Sequence, residues 1–432
     1  MALLAALILA GCGGGSGSST TATATSPPST TTVAATANTA PLTLDGGPAA
    51  LQVGSDGYTA FNQPYVTVTI CAPGSTSNCQ TIDHVILDTG SIGLRIIQPV
   101  LGASLLSALP PETDSSNNPV GECYQYVNSY VFGSVRTADF SIAGEKVASM
   151  PFQVIADTGN FTAAPSTCSA GGGTDIQTVQ DFGANGILGV GTTTTDCGSF
   201  CTAAGGSSAA IYYDCPSGGC GAIIGRASNA AAPFQQLPNP VAAFPADNNG
   251  VIVSLPSVAE QGVATLTGTV TFGIGTQADN GLTAANVLPV TTSSSTLGPG
   301  VLTVTYNGAR LTQSFLDSGS NDYYFIDTSL NPCTESSFIA FYCPSSPMPL
   351  SPTLTATNAV MASGAFTLYN PLNVAASSTA APGLGLNPTL VTPPLPFANS
   401  FDFGVPFFFG RTVYTSIEGR SAGGAQGPYF AF

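Results

Sequence analysis

From about residue 46 onward, apolar and polar residues alternate in short runs rich in β-branched and aromatic side chains. Tyr65-Val66-Thr67-Val68-Thr69-Ile70 is the clearest case: a period of two over six residues predicts a strand with one face buried. Similar runs predict strands at Val85–Asp88, Tyr130–Val135, Phe152–Ile155, Val251–Leu255, Thr267–Phe272, Leu302–Tyr306 and Ser314–Asp317. Turns bearing Gly and Pro separate them, and helical periodicity is scarce. Val100–Ala108 predicts one short helix, ended by Pro110-Pro111 because proline lacks a backbone donor and clashes with the preceding turn. The expected fold class is all-β, with two lobes over 46–240 and 241–432 joined through the Pro/Ala/Asn-rich stretch Pro233–Pro245.

The N-terminal segment breaks this pattern. Residues 13–45 are nearly all Gly, Ser, Thr, Ala and Pro, which offer no core, and the expectation is a flexible tether of roughly 30 Å mean reach. Residues 1–10 are apolar and lead into Leu9-Ala10-Gly11-Cys12, which resembles a bacterial lipobox. The resemblance implies a signal peptide over 1–12, a lipid on Cys12, and export to the envelope with the lipid anchor as sole membrane contact. The apolar run is itself too short to span a bilayer, which takes about 20 residues.

Composition narrows the partners. Seven Lys+Arg against 23 Asp+Glu give a net charge of −16, so nucleic acid and anionic lipid surfaces would be repelled. Only 7% of residues are charged, yet 23 Phe and 14 Tyr supply the apolar area that folding needs. Setting Cys12 aside leaves ten cysteines, an even number that reads as disulfides in an exported chain, with Cys71–Cys79 and Cys333–Cys343 as natural short-range pairs. Cys197, Cys201, Cys215 and Cys220 have the alternative of a zinc site. Their Gly/Ser-rich surroundings and a single His in the chain favour disulfides.

The two halves share a local repeat. His84-Val85-Ile86-Leu87-Asp88-Thr89-Gly90-Ser91 is echoed by Gln313-Ser314-Phe315-Leu316-Asp317-Ser318-Gly319-Ser320, each an apolar strand ending in Asp-(Thr/Ser)-Gly-Ser. Such a pattern lets a carboxylate leave a strand at a tight turn, where Gly90 and Gly319 spare the backbone a Cβ clash. Thr89 and Ser318 can bond across to the opposite loop, and Ser91 and Ser320 can donate to the outer oxygen of each Asp. Two carboxyls about 3 Å apart cannot both ionise, so they share one proton and can serve as base and acid on a water. A third triplet, Asp157-Thr158-Gly159, lacks both the apolar approach and the final Ser, and is expected to be a surface turn. His84 has no Ser or Cys partner motif and is expected to be structural.

These two loops resemble those of the pepsin-like aspartic proteases, and the resemblance extends over most of residues 55–420. Phe182-Gly183-Ala184-Asn185-Gly186-Ile187-Leu188-Gly189-Val190-Gly191 is similar to the segment that crosses behind the first catalytic loop. Gly268–Gly273 is similar to the opening strand of the second lobe, and Phe403-Gly404-Val405-Pro406-Phe407-Phe408-Phe409-Gly410-Arg411 to the second-lobe counterpart. The resemblance implies a two-lobed pepsin-like fold with a cleft between the lobes and Asp88 and Asp317 as the catalytic pair. It also implies an extended polypeptide as substrate, a monomer, and no cofactor or metal, since the nucleophile is water. Tyr126 is the candidate for the tyrosine of the substrate-covering hairpin, although the glycines that usually follow are absent and the chain has no Trp to brace it. The competing expectation is a non-catalytic binding or adhesion protein on the same scaffold.

Overall fold

The computed structural model describes residues 38–52, 59–170, 172–198, 210–223, 236–284, 286–292, 300–391, 395 and 397–432. The signal and Cys12, residues 13–37 of the expected tether, and much of the Cys-rich 192–232 insert lie outside the described residues.

The described chain is all-β with a few short helical turns. Each predicted strand is present, and burial follows the alternation in Tyr65–Cys71 and Leu266–Phe272. In Leu266–Phe272 every second side chain is buried, as a sheet with one covered face requires. Gly186–Val190 is buried throughout, which marks a central strand covered on both faces. The predicted strand at Tyr130–Val135 extends to Ser129–Ile142 and returns as Glu145–Ile155. Ala143 and Gly144 join them, both with positive φ (49° and 83°), the conformation that matches a two-residue hairpin loop to strand twist. The expected helix shrinks to Ala103–Ala108, because Pro99 lies in a tighter turn just before it.

One sheet passes through both halves of the chain. Its junction is Thr39–Leu44, which pairs antiparallel with Leu266–Phe272 from Thr39↔Thr271 to Leu44↔Leu266. This corrects the expected tether. Ala40, Leu42 and Leu44 alternate inward and are buried, so the last residues of the low-complexity segment are a core strand. A second sheet carries the strand that leads to Asp317. The expected linker is also packed. Asn239 donates through Nδ2 to the carbonyl of Gly191 at 2.8 Å, and Val241 and Phe244 are buried.

Disulfides join Cys71–Cys79, Cys123–Cys168, Cys215–Cys220 and Cys333–Cys343. Cys197 is disulfide-bonded too, which leaves the 197/215/220 group no free thiols for zinc.

Candidate active site

Asp88 ends the strand Cys79–Asp88, and Asp317 follows the strand Ala309–Leu316. Each strand is flanked by a parallel partner that ends in glycine. Val85 to Asp88 pair with Gly186 to Gly189, while Phe315 and Leu316 pair with Asp402 and Phe403 ahead of Gly404. A parallel neighbour holds each strand to its tip, so each turn begins at a fixed place and the two copies repeat one arrangement.

The turns interlock. The Ser318 N–H donates to Thr89 Oγ1 at 2.9 Å, and the Thr89 N–H donates to Ser318 Oγ at 3.1 Å. Ser318 Oγ donates in turn to the carbonyl of Leu87 at 2.7 Å. Within each loop the glycine N–H donates to its own Asp, Gly90 to Asp88 and Gly319 to Asp317, both at 2.7 Å. The hydroxyl of Ser91 donates to Asp88 Oδ2, and that of Ser320 to Asp317 Oδ2 at 3.0 Å. A methyl group on Gly90 would lie 2.6 Å from Cγ of Asp317, and one on Gly319 would lie 2.6 Å from Oδ1 of Asp88. Only glycine at both positions lets each carboxyl seat against the opposite loop. The structure thus brings together all eight residues expected at these loops.

The electrostatics follow from burial. Asp88 and Asp317 are both fully buried and share a hydrogen bond. Burial is the largest influence on Asp88 and raises its pKa, while hydrogen bonds from Asp317, Ser91 and Gly90 pull it part of the way back. Asp317 is raised much further, by burial first and then by the charges of Asp88 and Asp402. The pair titrates as a unit, so its two apparent values belong to the dyad rather than to either acid.

Two further acids stand beside the dyad. Asp402 is fully buried and held well above its ordinary pKa by burial, with Asp88 and Asp322 adding to the shift and the nearby Ser320 hydroxyl opposing it. Asp322 is buried and raised from 3.8 to about 8 by burial alone. A raised acid binds more protons folded than unfolded between those two values, so folding weakens as pH climbs through that window. Asp317, Asp402 and Asp196 act in the same direction. The stability measured by urea unfolding is expected to fall by on the order of a few kcal/mol between about pH 4 and pH 8. A flat or rising profile would mean that these acids are solvated.

A hairpin stands near the pair. Val120–Gln125 and Ser129–Ile142 form it, with the Tyr126 N–H donating to the Ser129 carbonyl at 2.8 Å at the tip. Tyr126 is buried, its ring packs 6.2 Å from that of Phe182, and its electrostatic neighbours include Arg95 and Asp88. Val127, the next residue, packs against a cluster of the second lobe that contains Phe315 and Tyr324. The hairpin rises from one lobe and its tip touches the other.

Its base rests on charge. Arg95 is fully buried, its guanidinium 3.7 Å from the centre of the Tyr124 ring, 2.6 Å from Glu122 and 3.2 Å from Asp196. Burial works against the Arg95 charge, but Glu122, the two tyrosines and Asp196 outweigh it and keep the guanidinium ionised. Sequence reasoning missed Arg95. The available signal was a lone cation inside the apolar run Ile92-Gly93-Leu94-Arg95-Ile96-Ile97.

One expectation is overturned. Asp157 is not a surface turn: it is fully buried, receives Arg136 Nε at 2.7 Å and the Ser134 hydroxyl at 2.5 Å. Arg136 stands on the neighbouring strand, and its guanidinium supplies the counter-charge that lets Asp157 be buried. His84 sits 3.3 Å from Asp45 and edge-on to Tyr65, a structural contact.

Taken together, the fold and site define a class: a two-lobed all-β scaffold with a symmetric pair of buried carboxyls on interlocked turns. A family model described as "Protein of unknown function (DUF3443)" matches residues 34–432, and the chain belongs to that family. Among solved structures, the aspartic proteinase from Irpex lacteus is similar, at 14% identity and a TM-score of 0.47 over 91% of this chain and 96% of that one. No curated relative matches.

Proposed function

We propose that the protein is an aspartic endopeptidase that hydrolyses extended polypeptides with Asp88 and Asp317. The observation that carries this reading is the interlocked pair of Asp-(Thr/Ser)-Gly-Ser turns, with each carboxyl against the opposite glycine and one hydrogen bond shared between them. Two buried acids set against each other share one proton, so one can serve as base and the other as acid on a single water.

In the proposed reaction a water molecule lies against both carboxyls. One carboxylate, written here as Asp88, takes its proton as the oxygen attacks the scissile carbonyl carbon, and the protonated partner, Asp317, donates to the carbonyl oxygen. The resulting tetrahedral diol collapses as the C–N bond breaks. The proton taken up by Asp88 passes to the leaving amine, and Asp317 recovers its own from the hydroxyl that becomes the new carboxyl. The hairpin tip supplies the cover that excludes bulk water, and substrate access requires residues 126–128 to lift from the second lobe.

We read the chain as exported and held to a bacterial envelope by a lipid on Cys12, a reading supported by the lipobox and by the oxidised cysteines. The second reading, a binding protein without hydrolysis, is favoured by one observation: both carboxyls are 0% exposed beneath the hairpin. Incubation with a random peptide library, with new N-termini read by mass spectrometry, separates the two. Cleavage on the acid side of neutrality is expected. Peptide binding without any new N-terminus would select the second reading.

A further inference from the structure

The two sides of the dyad are lined by opposite chemistry. Two residues before Asp88, Ile86 pairs with Ile187, and both are fully buried in an apolar cluster with Tyr126 and Phe182. The equivalent step before Asp317 pairs Phe315 with Asp402. By register, Asp402 stands beside the second strand where Ile187 stands beside the first.

An acid here is costly. Asp402 is 0% exposed, and neither carboxyl oxygen has a partner in hydrogen-bond geometry; its one favourable polar influence is the nearby Ser320 hydroxyl. That hydroxyl donates to Asp317 Oδ2 at 3.0 Å, which leaves Asp402 without a full charge partner. Two other buried groups share the region unpartnered: Oδ1 of Asp322 and the hydroxyl of Tyr324, whose electrostatic neighbours are Asp322, Asp402 and Asp317. Among the described residues no ion pair involves any of these acids. A buried acid with no partner penalises folding, and an apolar residue of similar size would remove that penalty.

The arrangement does not suit a metal. Among the described residues, the triad whose ligating atoms converge within 4.8 Å is Cys333, Glu335 and Cys343, and its cysteines are disulfide-bonded. The unpartnered acceptors beside Asp317 are more widely spread, which fits a cation that brings several N–H donors on a flexible stem. An ammonium has three such donors and a guanidinium five, and either supplies the counter-charge that the fold withholds.

We propose that Asp402 makes the Asp317 side of the cleft a recognition site for a cationic side chain, so that the preferred substrate carries lysine or arginine there and an apolar residue over Ile86 and Ile187. The location of the scissile bond in this statement rests on the endopeptidase reading; the cation site does not.

The test compares wild type with Asp402→Ile, which places there the residue found at the matching register position beside the first strand, and with Asp402→Asn, which keeps the shape but cannot ionise to meet a cation. Quenched peptides differ only in lysine or norleucine at each position flanking the cleaved bond. Wild type is expected to favour lysine at one of these positions by about tenfold or more in kcat/KM, the effect of one charge-assisted contact of roughly 1.4 kcal/mol. In both variants that ratio should collapse toward one or invert. Fluorescence anisotropy of labelled lysine and norleucine peptides reads binding separately. An unchanged lysine-to-norleucine ratio in both variants would overturn the cation site while leaving the endopeptidase reading intact. Binding of the lysine peptide that depends on Asp402, with no cleavage, would support the site and overturn the endopeptidase reading. Neither binding nor cleavage by wild type would overturn both.

Discussion

Asp88→Asn and Asp317→Asn are each expected to reduce peptide hydrolysis by at least about 10²–10⁴-fold, since general acid–base catalysis contributes that much and one carboxyl cannot fill both roles. Neither substitution should unfold the protein, because the interlock runs through Thr89, Ser318 and the backbone rather than through the acids. Wild-type activity should follow a bell in pH bounded by the two macroscopic values of the pair. In pepsin such a pair titrates at roughly 1.5 and 4.7. Here burial raises both acids, and Asp402 raises Asp317 further, so the alkaline limb should fall at higher pH than that. Assays of the three proteins on one quenched peptide from about pH 3 to pH 8 decide the matter. Full activity in Asp317→Asn would reject the shared-proton mechanism.

The second large effect concerns Arg95. Arg95→Met is expected to cost about 3–5 kcal/mol, because it leaves Glu122 and Asp196 buried without their counter-ion. That is a large share of the roughly 5–15 kcal/mol by which a typical domain is stable. The loss should be felt first in the hairpin, since Glu122 and Tyr124 both stand on its first strand. Adding Glu122→Gln to Arg95→Met should recover part of the loss by removing one of the orphaned charges. Urea unfolding of the single and double variants measures both terms, and hydrogen exchange over residues 120–130 reports the hairpin. A cost below about 1 kcal/mol for Arg95→Met would show that packing, not charge, holds the network.

The sequence made some of this legible and hid the rest for identifiable reasons. Strands such as Tyr65–Cys71 and Leu266–Phe272 show because local alternation alone defines a buried face. The Asp loops show because two imperfect copies over eight residues carry more information than either copy. What stayed hidden depends on pairing across long separations. Asp157 looks like a turn residue until Arg136, on the neighbouring strand, comes beside it. Asp402, flanked by Phe401 and Phe403, reads as the outward residue of an alternating strand, and only its parallel pairing with Phe315 turns it toward the dyad. Thr39–Leu44 does alternate, but its small residues follow a long stretch of similar composition, and its partner strand is over 200 residues away.

That last separation bears on how the molecule is made. Thr39–Leu44 meets the early strand Tyr65–Cys71 at Thr43↔Tyr65, but its six-residue pairing must wait until Leu266–Phe272 has been synthesised. At a synthesis rate of roughly 5–20 residues per second, the wait lasts on the order of ten seconds or more. During that time an unpaired edge of the first lobe's sheet stands open to any stray strand. The earliest part of the fold to be made is thus among the last to be fastened, and closing that seam joins the lobes into one sheet.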